Sequence, residues 1–354
     1  MDPADRLTGI LAGEPRAVAR AISLVENRDP HAKPLIDRLY PHTGRAVLIG
    51  VTGSPGSGKS TLVDRLIARE RAAGHTVAVI AVDPSSPFTG GAILGDRLRM
   101  QDHATDPGVF IRSMASRGSL GGLTAAAADA VRVLDAAGYD TVLIETIGVG
   151  QTEIDVVELA DLVLLVFMPG AGDEIQALKA GVMEIGDIYV INKGDLPGAA
   201  KLRLEVEYAL SLGGPGAPRD EPRVEPPAPH APAPRVLTTD ALGDRGIDEL
   251  CAAIAERLAA DRADGSFEAG RRRRIELQLE AIMRFRLREV MDARLEFSRQ
   301  LPDWVDQVWR NEIGPYALVE RHITQLLAHA ANGATSTTTT HAPSPSDAHE
   351  KENS

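Results

Sequence analysis

Cysteine is almost absent from this chain: its 354 residues hold one, Cys251. No disulfide can form within the chain, and a zinc site built on thiolates is excluded with it. Aromatics are scarce too, at 4%, so a core has to be made of Val, Leu, Ile and Ala. No run of ~20 apolar residues occurs, and the acidic opening MDPADRLTGILAGEPRAVARAIS has no signal-peptide pattern, so no membrane partner is expected. Positive charge is in deficit: 38 Lys and Arg against 50 Asp and Glu give -12. That argues against nucleic acid or an anionic membrane surface as a partner. The four arginines at 271–274 form one local basic patch. A lone thiol suits a reducing compartment, and a cytoplasmic protein is expected. Cys251 itself sits in GIDELCAAIAERL, a helix-like pattern in which a buried, inert thiol is expected.

Apolar residues make up 44%, enough for a sizeable core. Residues 1–40 read as helical, with Leu7, Ile10, Leu11, Val18, Ile22 and Val25 at three- and four-residue steps. From residue 46 short Val- and Ile-rich runs alternate with longer amphipathic stretches. The runs are 46–52, 76–82, 109–111, 141–146, 162–167, 187–192 and 235–239. Apolar strands alternating with helices predict an α/β fold, a mainly parallel sheet covered on both faces. Residues 213–235 are Pro-rich and read as an extended surface loop. The stretch from about 271 to 330 is helix-like again, with Ile275, Leu279, Ile282, Val290 and Leu295 on one face. Residues 333–354, rich in Thr, Ser and Pro, have little to bury and are expected to be disordered.

Between the first strand-like run and the helix TLVDRLIARERAAG stands GSPGSGKST, residues 53–61. Three close glycines are costly in ordered backbone. They become intelligible if the main chain must wrap a ligand, and the spacing fits G-x-x-x-x-G-K-[ST]. In such a loop the amides of Gly53, Ser54, Pro55 (which lacks an N–H), Gly56, Ser57, Gly58 and Thr61 surround phosphates at a helix N-terminus. Lys59 reaches the outer phosphates, and Ser60 ligates Mg²⁺. A nucleoside triphosphate is the expected ligand.

INKGD ends a later strand and matches N-K-x-D, with Asn192, Lys193 and Asp195. Asp195 can accept both the N1–H and the 2-amino group of guanine, a donor pair that adenine lacks. Alone the tetrapeptide also makes an ordinary turn; four strand-like runs after the phosphate loop it favours GTP over ATP. TTDALGDRGIDEL then reads as a base-side loop, Thr239, Asp240 and Ala241, with an amide near Ala241 facing guanine O6. Three acids, Asp83, Asp96 and Glu145, fall where carboxyl ends of parallel strands gather near the phosphates. They suit Mg²⁺, though such acids also cap helices and turns. E-T-I-G, from Glu145 to Gly148, mimics a nucleotide switch in which the glycine N–H senses the γ-phosphate. Gln151 is a candidate for positioning the attacking water, with a surface amide as its alternative. Arg97, Arg99, Arg112 and Arg117 are read as solvated surface. His322 and His329 are read as flanking a packed face rather than binding metal. No D-x-H-x-x-G occurs, so the chain has no cobalamin-ligating pattern of that kind.

Together GSPGSGKST, AVDPSSPFTGGAILGDRLRM, ETIGVGQTE and NKGD resemble the methylmalonyl-CoA mutase-associated GTPases, the MeaB/MMAA group once called ArgK. The resemblance runs from about residue 5 to 330. It implies a P-loop NTPase fold acting as a homodimer. A helical extension would occupy 1–42, the GTPase domain 43–262, a C-terminal dimerisation arm 263–332 and a tail 333–354. It implies that Ser60, Asp83, Asp96 and Glu145 surround Mg²⁺, and that hydrolysis is slow alone and accelerated by a partner. The partner implied is an adenosylcobalamin-dependent acyl-CoA mutase, whose cofactor loading and protection such proteins gate. Two features depart from the group: the Pro-rich stretch, and T-D-A at 239–241 in place of T-S-A. Two other readings compete. A kinase or ATPase serving amino-acid transport, as an older family label suggests, needs adenine use, against NKGD. A nickel-inserting GTPase needs Cys and His ligands that one cysteine and scattered histidines do not supply.

Overall fold

β-Branched side chains suit a pleated surface, and strands apolar on both faces need cover on both. The computed structural model describes residues 3–84, 103, 105–116, 122–146, 159–170, 183, 185–212 and 234–334. Seven strands make one sheet: β1 (Val47–Gly53), β2 (Val77–Pro84), β3 (Val109–Ser116), β4 (Thr141–Thr146), β5 (Leu162–Phe167), β6 (Ile188–Ile191) and β7 (Arg235–Thr238). Their order is β3-β2-β4-β1-β5-β6-β7, with every pairing parallel. Each of the seven apolar runs has become a strand.

Helices α1 (Pro3–Leu11), α2 (Pro15–Glu26) and α3 (Ala32–Leu39) precede β1. Then come α4 (Lys59–Ala72), α5 (Gly122–Ala136), α6 (Ala199–Leu212) and α7 (Ile247–Asp264). The period-two alternation of β2 sorts its side chains between two cores. Ala78, Ile80 and Val82 pack with α2, α3 and α5, whereas Val77 and Val79 pack with α4 and α7. A third core lies under α6, around Phe167 and Tyr189. Cys251 packs half-buried against the α4 side, and burial pushes its thiol up to about 11, as an inert thiol requires.

Two charged features differ from the sequence expectation. Arg112 is not solvated surface. Three-quarters buried, it leaves β3 to pair with Glu26 and donate to Ser23 Oγ on α2 at 3.1 Å. Nor do the arginines at 271–274 form one basic patch. Arg271 donates through Nε and Nη2 to the fully buried carboxylate of Asp161, at 2.9 and 2.6 Å, and Arg274 pairs with the same group. Only Arg272 and Arg273 are left exposed. The reason is that Asp161, at the start of β5, needs cations once it is buried.

The chain divides into two compact units, 1–275 and 276–354. The first therefore runs past residue 262 into α8 (Ser266–Leu295), because Phe267, Arg271 and Arg274 are bound to its core and to Asp161. The second holds the rest of α8, α9 (Phe297–Trp309) and α10 (Pro315–Ala334). In it Trp304 stacks on His322 with centroids 3.8 Å apart, and Phe297 meets Trp304 edge-on at 5.3 Å. His322 thus packs, as expected; the side chain of His329 lies outside the described residues. Of the face expected on α8, Ile275, Leu279, Ile282 and Val290 are exposed to solvent, and the Leu295 side chain is not described. The residues of 213–235 before Pro234, and the tail after Ala334, also lie outside the described set. Among the described residues no helix is long and apolar enough to cross a membrane.

Candidate functional site

β1 ends at Gly53, a position where no residue but glycine fits. Its φ is +136°, and a Cβ would lie 2.0 Å from the carbonyl oxygen of Val166 on β5. Gly58, at φ +87°, leaves room for Asn192, whose Nδ2 would stand 2.5 Å from a Cβ. The chain turns between these two glycines, and α4 starts at Lys59 with no side chain capping it. First-turn amides of a helix have no acceptor within it, so this end presents N–H groups and a partial positive charge to the loop. Lys59 is buried and curls back over the loop, its Nζ donating to Gly53 O at 2.7 Å and Ser54 O at 2.9 Å.

Ser60, one residue on, donates from Oγ to Glu145 Oε1 at 2.6 Å, with both side chains over nine-tenths buried. The sheet register makes this meeting possible. Glu145 on β4 lies beside Val51 of β1 and Ala81 of β2, at the carboxyl ends of all three strands. Hydroxyl and carboxylate are hard oxygen donors of the kind Mg²⁺ takes, and two of them converging beside the loop fit that ion. Of the other expected ligands, Asp83 is the last residue but one of β2, and its backbone lies beside Ala115. The Asp83 side chain, Asp96, Gly148 and Gln151 lie outside the described residues.

On the other side of the loop Asn192 joins three segments. Its Nδ2 donates to Ser57 O at 2.8 Å, and its Oδ1 accepts from Thr239 Oγ1 and from Ala241 N–H, both at 3.1 Å. Lys193 takes a left-handed φ of +56° and donates from Nζ to Met168 Sδ at 3.4 Å. Gly194 is packed so closely that a Cβ would meet Thr238 Cγ2 at 2.5 Å. Asp195 follows, exposed at the open end of the turn. Residues 192–195 and 239–241, 44 positions apart from Asp195 to Thr239 in the sequence, therefore stand side by side, tied by Gly194 N–H to Thr239 O at 2.8 Å. Asp240 turns its carboxylate into its own loop. The Gly243 N–H, and after it the Arg245 guanidinium, hold that carboxyl below the usual carboxylate range.

This geometry unites a phosphate-type loop with a base-type loop. A family model described as Methylmalonyl Co-A mutase-associated GTPase MeaB matches residues 18–296. The chain belongs to the MeaB family. It is therefore a GTPase by family, and the resemblance drawn from its four motifs is borne out. This MeaB-family chain is 45% identical over 318 residues to a Pyrococcus abyssi protein, covering 89% of this chain and 94% of that one. It is 40% identical over 273 residues to GTPase ArgK of Escherichia coli, covering 75% and 78%. With the mitochondrial methylmalonic aciduria type A homolog of Caenorhabditis elegans it shares 36% over 264 residues, covering 70% and 63%. A solved structure of an LAO/AO transport system kinase superposes with a TM-score of 0.70 at 30% identity, over 92% of this chain and 97% of that one.

Three residues of this MeaB-family site escaped the sequence reading. Thr52 and Thr146 share a hydrogen bond of 2.8 Å between fully buried hydroxyls, joining the residue before Gly53 to the residue after Glu145. Arg65 of α4 reaches Ala241 O at 3.0 Å. Arg65 and Arg69 lie four apart on α4, and Asp244 and Asp248 lie four apart downstream. That matched spacing was the only local signal.

Proposed function

We propose that this GTPase serves an adenosylcobalamin-dependent acyl-CoA mutase, methylmalonyl-CoA mutase or a close relative. It would gate loading of the mutase cofactor and protect the enzyme. The family description and the name of the Caenorhabditis elegans relative support that partner. The observation carrying the nucleotide assignment is Asn192, which ties the phosphate loop at Ser57 to the base loop at Ala241.

In this reading the amides of 53–61 grip the phosphates of GTP, and Lys59 exchanges its loop carbonyls for the outer phosphate oxygens. Ser60 and Glu145, with Asp83 and Asp96, hold Mg²⁺, which when bound neutralises developing phosphate charge. Gly148 senses the γ-phosphate, and Gln151 orients the attacking water. Asn192, Lys193, Asp195, Thr239, Asp240 and Ala241 surround guanine. Loss of the γ-phosphate relaxes the 145–151 segment and changes affinity for the partner. By linkage, a mutase that prefers the GTP form tightens GTP binding and, if it favours the transition state further, accelerates slow hydrolysis. A homodimer formed through 263–332 fits the apolar side chains exposed on α8.

The experiment is capture of mutase on immobilised protein loaded with GDP, with a non-hydrolysable GTP analogue, or with nothing. Affinity should depend on the nucleotide. Equal capture in all three states removes the chaperone reading. The kinase name of the similar solved structure favours a second reading, adenine use in transport. Competition decides it: ATP displacing bound GDP as well as GTP does would establish adenine use.

A further inference from the structure

The Ala241 N–H is the donor that the reading above, on which this inference rests, gives to the purine, and here it donates to Asn192 Oδ1 at 3.1 Å. A peptide unit is planar, so the Ala241 N–H points where the Asp240 carbonyl of the same unit dictates. That carbonyl accepts the Arg245 N–H at 3.0 Å, and the Asp240 N–H donates back to Arg245 O at 2.9 Å. The Asp240 carboxylate secures the same pairing a second time. It accepts from Arg245 Nη2 at 2.7 Å and Nε at 3.1 Å, and from Gly243 N–H at 2.9 Å. The next peptide unit is held from outside the loop: Arg65 Nε donates to Ala241 O at 3.0 Å. Arg65 also stands 3.9 Å from Asp244 Oδ1, while Arg69 pairs with Asp244 and Asp248.

The contacts close a circuit. Ser57 O of the phosphate loop holds Asn192, Asn192 holds the Ala241 N–H, Arg65 holds the Ala241 carbonyl, and Arg65 rides on the helix that begins at Lys59. We infer that Arg65 and Asp240 are positioning residues for base recognition: they hold the Ala241 peptide in place so that its N–H, which donates to Asn192 Oδ1 here, can pass to the O6 of a bound 6-oxopurine. Asp240, where the family pattern has serine, thereby takes a definite role: its carboxylate rigidifies the reader from within the loop, through Gly243 and Arg245. A hydrogen bond aimed by a rigid donor discriminates; one from a loose loop can reorient toward water.

The test is competition of GDP, inosine diphosphate and ADP against fluorescent GDP on the full chain with Mg²⁺. Inosine diphosphate keeps O6 and N1–H and lacks only the 2-amino group. Arg65→Ala and Asp240→Ala should each weaken GDP and inosine diphosphate by the same factor, about tenfold for one misaimed hydrogen bond, and leave ADP within about twofold. Arg65→Lys retains a cationic donor on α4 and should restore part of the loss; it carries the same test if Arg65→Ala does not fold. Equal weakening of all three nucleotides, or no weakening, overturns the inference, since a merely structural tether moves them together. Wild-type protein that binds ADP as tightly as GDP overturns the guanine reading itself. Asp195→Asn separates the two ideas further, because it should weaken GDP more than inosine diphosphate.

Discussion

Gly53 and Gly74 look alike in a composition and differ in what surrounds them. Both have positive φ, +136° and +89°. A Cβ on Gly53 strikes the Val166 carbonyl, whereas one on Gly74 meets nothing within 4 Å. Gly74→Ala should cost ~1 kcal/mol, the strain of a left-handed alanine. Gly53→Ala adds a backbone collision and should cost more than ~4 kcal/mol, enough to unfold many domains. Denaturant midpoints of the two variants check this; equal costs would mean that β5 yields readily at Val166. Gly53, Lys59, Ser60 and Asn192 were legible in the sequence because their spacing is local and fixed by the shape of a phosphate or a base. Arg65 was not, because an arginine on a helix reads as solvated until the loop it holds is placed beside it.

Two elements are fastened by single carboxylates. Asp161 accepts the Leu48 N–H at 3.0 Å and the guanidinium groups of Arg271 and Arg274, tying β1, β5 and the first turns of α8. Asp161→Ala strands two partly buried cations and should cost about 3 kcal/mol, the lower end for a broken buried pair. Chemical denaturation monitored by circular dichroism measures it, and a loss indistinguishable from that of an exposed aspartate would show that the pairing adds nothing. Asp140 works at the start of β4. The Thr76 N–H, and then the Thr76 hydroxyl, hold its carboxyl below the ordinary carboxylate range. A depressed carboxyl stabilises fully above its unfolded pKa, about 4, and the gain disappears as pH falls through the folded value. Asp140→Asn should therefore flatten the acid limb of the stability curve and leave its slope near neutrality unchanged. Thermal melts across acidic pH read that slope directly.

At the scale of the molecule, apolar area is left in water on the second compact unit. Leu279, Ile282, Met283, Leu287 and Val290 of α8 are each 45–61% exposed, as are side chains of α9 and α10 such as Val305 and Val319. Monomeric proteins seldom leave so contiguous a face bare. Self-association is the expected outcome, and Leu279→Asp with Leu287→Asp should shift sedimentation from dimer to monomer while GTP binding by the first unit persists. A wild-type chain that sediments as a monomer removes the proposed homodimer, and a double variant that still sediments as a dimer places the contact elsewhere. The strands, the phosphate loop and the guanine motif were determined by the sequence by itself, because apolar periodicity and glycine spacing act over a few residues. Only the tertiary structure decided that Arg112, Arg271 and Arg274 are buried partners rather than surface. It alone decided that α4 grips the base loop through Arg65. Those contacts join residues 86 to 176 positions apart, and a charge finds its partner across such a separation only after the sheet has set which strand ends meet.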